Sequence, residues 1–468
     1  MEPIKKQFKP RSHYTLVRNS LIKIAGYCYY KNQYHIFDLH SPFSKEENFY
    51  VVGHGVSDDT LVFKNACDAI YPTLKLDRDG IEDCTALVIR DRIYLFYIAN
   101  RYSRKDERNL HIHDLTSVEN TAVICCFSED GINFDNTNDK HVLLDEHDIE
   151  AADFEKGTIE AISAFDYENE VYIVLVGFNV KTNLRTIATY HFDINHNKVE
   201  FLGSCPFLES KYRVTSLSIN RIRETNISSV MITCSVSKDN RSGAYMISRD
   251  LASYSRSYCV MSDFNPQHGE FTYDLSTKSR FDCSEDMTSI KVQYDSRDRL
   301  IAFGCIPTDV QIKDADGMLT APRRITFDDR GKFSFSVHPL MDMRIINEVN
   351  ELRLKQTHYP EKIMFSLKPF QNVSVGSVDI YTDENTLFID RTRSLNKETA
   401  FYKRRRIYEF ETKGKMISVV CFIDQELCEL ILNNNTFVTL VTENMTNMVK
   451  PSDDVKIVIY SMNQVRNR

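Results

Sequence analysis

Tryptophan is absent from the 468 residues, and glycine stops at 15 and proline at 12. No stretch approaches the roughly 18–20 uninterrupted apolar residues that a membrane-spanning helix needs, so no membrane span is expected. Without clustered glycines there is no phosphate-cradling loop and no dinucleotide-binding fingerprint, and neither an HExxH zinc motif nor a GxSxG nucleophile turn occurs. The opening residues, MEPIKKQFKPRSHYTLVRN, hold no apolar signal-peptide region, which points to the cytoplasm. Twelve cysteines in that compartment read as reduced, mostly buried thiols, and none shows CxxC spacing. Cys125 and Cys126 would point to opposite faces of one strand instead of sharing a metal. No metal and no cofactor is expected.

A charge of one sign is also missing. Against 66 acidic residues stand 58 basic ones, a net charge of −8 spread thinly, which favours solubility over attraction to nucleic acid or anionic lipid. The one dense basic run, Lys403–Arg406, lies among strand-like residues and reads as a solvated strand edge.

What the chain does have is short runs of Val, Ile, Tyr and Phe bounded by Asp, Asn, Gly or Ser: YHIFDL at 34–39, RIYLFYIA at 92–99, TAVICCF at 121–127, VYIVLVGF at 171–178, VMITCSV at 230–236 and LIAFGCI at 300–306. Such runs are strands, long helical periodicity is nearly absent, and the class is all-β. Polar turns leading into apolar strands, as in YKNQYHIF, DYENEVYIV and YDSRDRLIAF, recur at roughly blade-length intervals and suggest a propeller. The segment MDMRIINEVNELRLKQT has linker character, and the alternations SVDIYT, TLFIDR, MISVVCFID and CELILN beyond it fit a sandwich. The expected organisation is a β-propeller over 1–340, a linker over 341–360 and a β-sandwich over 361–468.

Several stretches, taken in order, resemble glycoside hydrolase family 32, the invertases, levanases and sucrose-6-phosphate hydrolases. Phe388–Ser394 (FIDRTRS) resembles the family's VDRSRS strand, and Val420–Glu429 (VCFIDQELCE) its IFVDxSxxEIF strand. Gly53–Asp59 (GHGVSDD) is similar to WGHAxSxD, Ser128–Phe134 (SEDGINF) to SxDGxxF, and Gly317–Arg324 (GMLTAPRR) to GxLTLPREL. The resemblance implies a five-bladed β-propeller followed by a C-terminal β-sandwich. It also implies a site built on two carboxylates, since retaining glycosidases use one as nucleophile and another as general acid and base.

Those carboxylates are not where the resemblance predicts them. HYTLVRNSLIKIAG, His13–Gly26, lies without gaps on the family's HFTPPxNWMNDPNG and puts Lys23 at the nucleophile. In TIEAISAF, counting back from Phe165 along the RDP motif gives Glu160 at its arginine and Ala161 at its aspartate. The WECPDLF motif falls on YRVTSL, with Arg213 at the acid/base glutamate. Lys23, Ala161 and Arg213 are thus degenerate catalytic positions, and no residue is assigned a catalytic role. An ammonium cannot form the glycosyl ester. Glu160, the pair Glu82 and Asp83, and the pair Glu285 and Asp286 are the acids available to face the axial funnel or a ligand, and they are expected to pair with Lys23 and Arg213. His54 joins this group of funnel candidates, although the family also carries a histidine there for the fold. His13, His35, His40 and His54 are expected together in the first blade, and His111 and His113 as a surface pair on one face of a strand.

The expected function is that of a pseudoenzyme that binds a fructoside-like saccharide or a protein partner through an intact scaffold with a rewritten centre. The alternatives are an active β-fructofuranosidase-type glycosidase with relocated acids, and an interaction protein forming a homo-oligomer or pairing with an active paralogue.

Overall fold

The computed structural model describes residues 13–14, 20–43, 47–223, 229–237, 255–306, 317–349, 360–397, 404–443, 446, 448–452 and 454–462. Ser20–Tyr30 opens the first of five antiparallel sheets and is followed outward by Gln33–Ser41, Val51–Ser57 and Lys64–Asn65. The second blade runs Ile81–Ile89, Arg92–Tyr102, Val118–Ser128 and His141–Leu144; the third Phe154–Tyr167, Glu170–Asn179, Leu184–Asp193 and Lys198–Pro206. The fourth runs Arg213–Arg221, Ser229–Ser237, Arg256–Asn265 and Glu270–Asp282; the fifth Ser289–Tyr294, Leu300–Ile306, Arg323–Phe327 and Phe333–Val337, with Met318–Leu319 also paired to its second strand.

Local chemistry sets the hairpins. In the first three blades the two inner strands are joined by two residues with positive φ: Lys31 and Asn32, Arg90 and Asp91, Glu168 and Asn169. Positive φ at both central positions belongs to the turn whose twist matches a right-handed β-ribbon, and Asn and Asp tolerate it best. The second strand of each blade is flanked on both sides within its sheet and is almost wholly buried, which is why its apolar runs stand out in the sequence.

The innermost strands touch in the cyclic order one, two, three, four, five and back to one, which closes the propeller. Separate apolar clusters fill the gaps between blades one and two, two and three, three and four, and five and one. Cys125 lies in the cluster between blades two and three and Cys126 in that between one and two, on opposite faces as expected. Where blade one meets blade two, a β-carbon on Gly26 would stand 2.7 Å from that of Ala86 and 3.0 Å from its nitrogen, so only glycine admits this approach.

The sandwich has a six-stranded sheet in the order Ile345–Val349, Val458–Met462, Glu361–Leu367, Ile417–Asp424, Leu427–Leu432, Thr436–Val441. Its five-stranded partner runs Ile407–Glu411, Thr386–Asp390, Val378–Thr382, Asn372–Val375, Val449–Pro451, and both enclose one apolar core. Within the stretch read as a linker, Pro339–Arg344 is a 3-10 turn and Ile345–Val349 an edge strand of the sandwich, while 350–359 lie outside the described residues. No helix among the described residues is long and apolar enough to cross a membrane.

The two domains are locked by buried charge. Arg323 of blade five, fully buried, donates to Asp282 of blade four at 2.8 Å, to Glu429 of the sandwich at 2.9 Å and to Thr439 at 2.6 Å. Its guanidinium also lies 4.1 Å from the ring centre of Phe437 and 5.0 Å from that of Phe281. Beside it His13 bridges Asp424 at 2.8 Å and Glu429 at 3.1 Å. The Tyr14 carbonyl accepts from Leu319 N–H and the Tyr14 hydroxyl donates to Asp38, so these two residues tie blade one, blade five and the sandwich together. A second knot joins Asp286 to Arg391 and, at 3.5 Å, to Arg404.

Three expectations are corrected here. His13 sits at the domain interface and not with His35 and His54. Arg404 of the basic run is 5% exposed and paired with Asp286, not a solvated edge, because the interface needs a second cation there; Lys403 lies outside the described residues. His111 and His113 lie in the loop after Arg92–Tyr102 and not on a strand; His113 is buried against Tyr102, its ring 4.9 Å away.

Candidate functional site

The innermost strands of a propeller present backbone N–H groups to their neighbours without a shared ladder, so something else must satisfy them. Here side chains do it around most of the ring. Ser289 Oγ accepts from Ile24 N–H at 3.3 Å, Ser216 Oγ from Ile290 N–H at 2.9 Å and Ser218 Oγ from Val292 N–H at 3.1 Å. Ser163 Oγ accepts from Ile219 N–H at 3.0 Å, Glu160 from Val214 N–H at 2.8 Å and Asp83 from Ile162 N–H at 3.0 Å. Partners rise together, 216 with 290 and 218 with 292, 160 with 214 and 163 with 219, so the inner strands run parallel along the axis.

This register fixes the levels. Lys23, Asp83, Ala161 and Arg213 fall close to one level on the inner strands of blades one to four, at or beside the residues that make these bonds. The structure therefore brings Lys23, Ala161 and Arg213 close to one rim. Lys23 Nζ lies 2.9 Å from Asp83 Oδ1, the lysine side chain 14% exposed and the aspartate fully buried. Ala161 is fully buried among the side chains between blades three and four. Arg213 is half-buried, with no hydrogen-bond or ion-pair partner for its side chain among the described residues. Glu160 does not face Arg213: Arg185 binds it with Nε 2.8 Å from Oε2 and Nη2 2.9 Å from Oε1. Glu82 accepts the Tyr102 hydroxyl at 2.5 Å.

Deeper on the axis, Lys291 is buried and donates to the carbonyls of Ile162 at 3.2 Å and Leu217 at 3.0 Å. Burial lowers its pKa, a pull that the nearby Asp83 charge opposes and the Lys23 charge reinforces. Beyond it a narrow cleft lined by Gly26, Ala86, Ser218, Asn220 and Gln293 opens at the far end. Lys291 and Arg185 were not singled out in the sequence. A lysine inside the apolar strand SIKVQY was the available signal for the first; nothing local marks the second.

The other candidates lie elsewhere. His54 packs parallel to Phe37 at 4.7 Å and bonds His35 at 2.9 Å inside blade one, and burial lowers its pKa to about 3. Asp286 belongs to the interdomain knot, and Glu285 beside it is half-buried near Arg405, burial raising its pKa. The upper rim also carries an exposed aromatic stack. Gln33–Ser41 ends level with Ser20, so Phe43 emerges at that rim, 65% exposed. Its ring lies 4.7 Å from His111 with planes 12° apart, and Phe49 packs behind both.

Chemically, the rim offers donors, an aromatic face and carboxylates already held: Asp83 by Lys23 and a backbone N–H, Glu160 by Arg185 and another. Retaining hydrolysis needs two carboxyl groups about 5 Å apart across the scissile bond, one free to attack. Three of the five family-like stretches instead build the interface, where Arg391, Asp424, Glu429 and Arg323 all carry interdomain bonds.

The family model described as "Glycosyl hydrolases family 32 N-terminal domain" matches residues 13–338. Sucrose-6-phosphate hydrolase of Bacillus subtilis is 26% identical over 136 residues, 29% of this chain and 26% of that protein, so the matched stretch spans about a quarter of the relative's length. The structure of sucrose-6-phosphate hydrolase from Lactobacillus gasseri superimposes with a TM-score of 0.79 at 15% identity, covering 98% of this chain and 94% of that one. A single-residue variant of fructan 1-exohydrolase IIa from Cichorium intybus, solved in complex with 1-kestose, gives a TM-score of 0.73 at 14% identity, covering 98% of each chain.

Proposed function

Because the chain belongs to glycosyl hydrolase family 32, we propose that it is a saccharide-binding member, fructoside-like in its ligand, that does not hydrolyse what it binds. The observation that carries this reading is the Lys23–Asp83 ion pair at the rim. The position laid on the family nucleophile holds an ammonium, which cannot form a glycosyl ester and repels the positive charge that develops at the anomeric carbon. Ala161 has no oxygen to bind a sugar hydroxyl. A guanidinium at 213 donates hydrogen bonds without giving up its proton.

Support for a saccharide comes from the rim itself. Aromatic faces stack on the apolar faces of sugars, and the Phe43–His111 pair supplies one although the chain has no tryptophan. One relative is a sucrose-6-phosphate hydrolase and another was solved holding 1-kestose.

The test is incubation with millimolar sucrose and 1-kestose, following free fructose by chromatography and melting temperature in parallel. The expected result is a rise in melting temperature of a few degrees and no fructose above the buffer control. Release on the order of 1 per second or faster would establish an active glycosidase with relocated acids. A flat melting temperature at every concentration would count against the saccharide. Phe43→Ser is expected to weaken sugar binding roughly three- to tenfold without changing the unfolding midpoint of the free protein; unchanged affinity would remove the aromatic stack from the site.

A further inference from the structure

We propose that the far end of the propeller axis, away from the rim, holds a binding site for a monatomic anion, chloride in solution, formed by Lys291, Thr85 and Gln293.

The cleft beyond Lys291 brings these three residues, from blades five and two, onto one cavity. Its volume of about 10 Å³ matches a body the size of one water molecule and excludes a sugar. The donors left over around it set the sign of the charge. Lys291 is 2% exposed, gives two of its three N–H groups to the carbonyls of Ile162 and Leu217, and has no ion-pair partner among the described residues. Asp83, the acid whose charge reaches it, has one oxygen on Lys23 and the other on the Ile162 N–H. Thr85 is 6% exposed, and its hydroxyl makes no hydrogen bond among the described residues. Gln293 accepts from Asn220 Nδ2 and Tyr294 N–H through Oε1, so its Nε2 hydrogens have no partner among the described residues.

The neighbours on the cleft do not compete for the ligand. Ser218 and Asn220 both turn donors to the Val292 carbonyl. No described aspartate or glutamate lines the cavity. An ammonium, a hydroxyl and an amide therefore converge with donors to spare and no carboxylate to receive them. Lys23 and Lys291 stand against the single charge of Asp83, which leaves one cation in excess on the axis. Burying an ammonium without a counter-charge is costly, and a charge-assisted bond from Lys291 to a halide offsets that cost. A water molecule would accept one or two of these bonds and bring no charge.

Broadening of the chloride resonance in nuclear magnetic resonance reads the site in the full chain, with sodium gluconate holding ionic strength at about 150 mM so that screening stays fixed. The expected result is protein-dependent broadening that bromide displaces, and a melting temperature a few degrees higher in chloride than in gluconate. Thr85→Val, close to the same shape, removes a hydroxyl with no other partner. It is expected to weaken chloride roughly three- to tenfold without lowering the melting temperature in gluconate. Lys291→Met should abolish the broadening. If that variant fails to fold, the threonine variant and the anomalous signal of bromide soaked into crystals, expected about 3–3.5 Å from Lys291 Nζ, still decide.

Equal melting temperatures in the two salts with no broadening overturn the site and leave a cleft for water. Chloride binding that Thr85→Val does not weaken, or bromide found away from Lys291, overturns it as well.

Discussion

Arg323→Met is expected to destabilise the protein by about 3–5 kcal/mol, the largest single effect foreseen here. The arginine is fully buried with Asp282 and Glu429, each 1% exposed, and its guanidinium is covered by Phe437 and Phe281. Removing it leaves Asp282 without a cation and Glu429 with His13 alone, in a medium that cannot solvate them. Methionine restores volume but no charge, so the loss is electrostatic and not a cavity. Urea unfolding followed by fluorescence and circular dichroism would measure it. The triple variant Arg323→Met, Asp282→Asn, Glu429→Gln should recover part of the loss, since what costs is the unpaired charge. No recovery would mean that packing on the two phenylalanines, and not the ion pairs, carries the contribution.

The second large effect is a loss of stability on the alkaline side of neutrality. Burial alone would push the pKa of His13 down, but hydrogen bonds and charge from Asp424 and Glu429 outweigh burial and raise it from an ordinary 6.5 to about 9. The folded state therefore holds a proton that the unfolded state releases. That contribution, about 3 kcal/mol, is fully present below pH 6.5 and is lost as pH rises through 9. His40, raised through Asp38, adds in the same direction. His54 and His338, lowered by burial to about 3 and about 4, act oppositely and only below pH 6.5, where the unfolded chain takes up protons they refuse. Unfolding free energy measured from pH 6 to 8, below the range where the buried thiols, raised by burial, add a slope of the same sign, should fall steadily in the parent and much less in His13→Asn. An equal slope in both would place the alkaline sensitivity elsewhere.

The sequence exposed the scaffold better than the site, for physical reasons. Five of the six apolar runs picked out at the start are the second strands of the five blades, buried on both faces and therefore legible as uninterrupted Val, Ile, Tyr and Phe. The two-residue turns before three of them were readable from Asn and Asp. Innermost strands are less visible because serine, aspartate, glutamate and lysine interrupt them to bridge between blades. The pairing of Lys23 with an acid was expected, and Asp83 meets it. The partner of Glu160 was not foreseen, because Arg185 lies on the third strand of the same blade and only the folded register sets the two side by side. In the basic run Arg405 and Arg406 are exposed, but Arg404 departs from the solvated reading for a similar reason: an aspartate more than a hundred residues earlier is folded against it.

The bridging of inner strands by side chains makes the rim a ratchet. Asp83 holds Lys23 with one oxygen and the backbone of blade three with the other, and Glu160 holds blade four. An aspartate placed at position 23 would set two carboxylates against each other where only one can readily stay ionised, and would loosen the joint between blades one and two in the same stroke. Acids that serve as mortar between blades are not free for other work: any substitution that releases one of them also weakens the propeller it holds together.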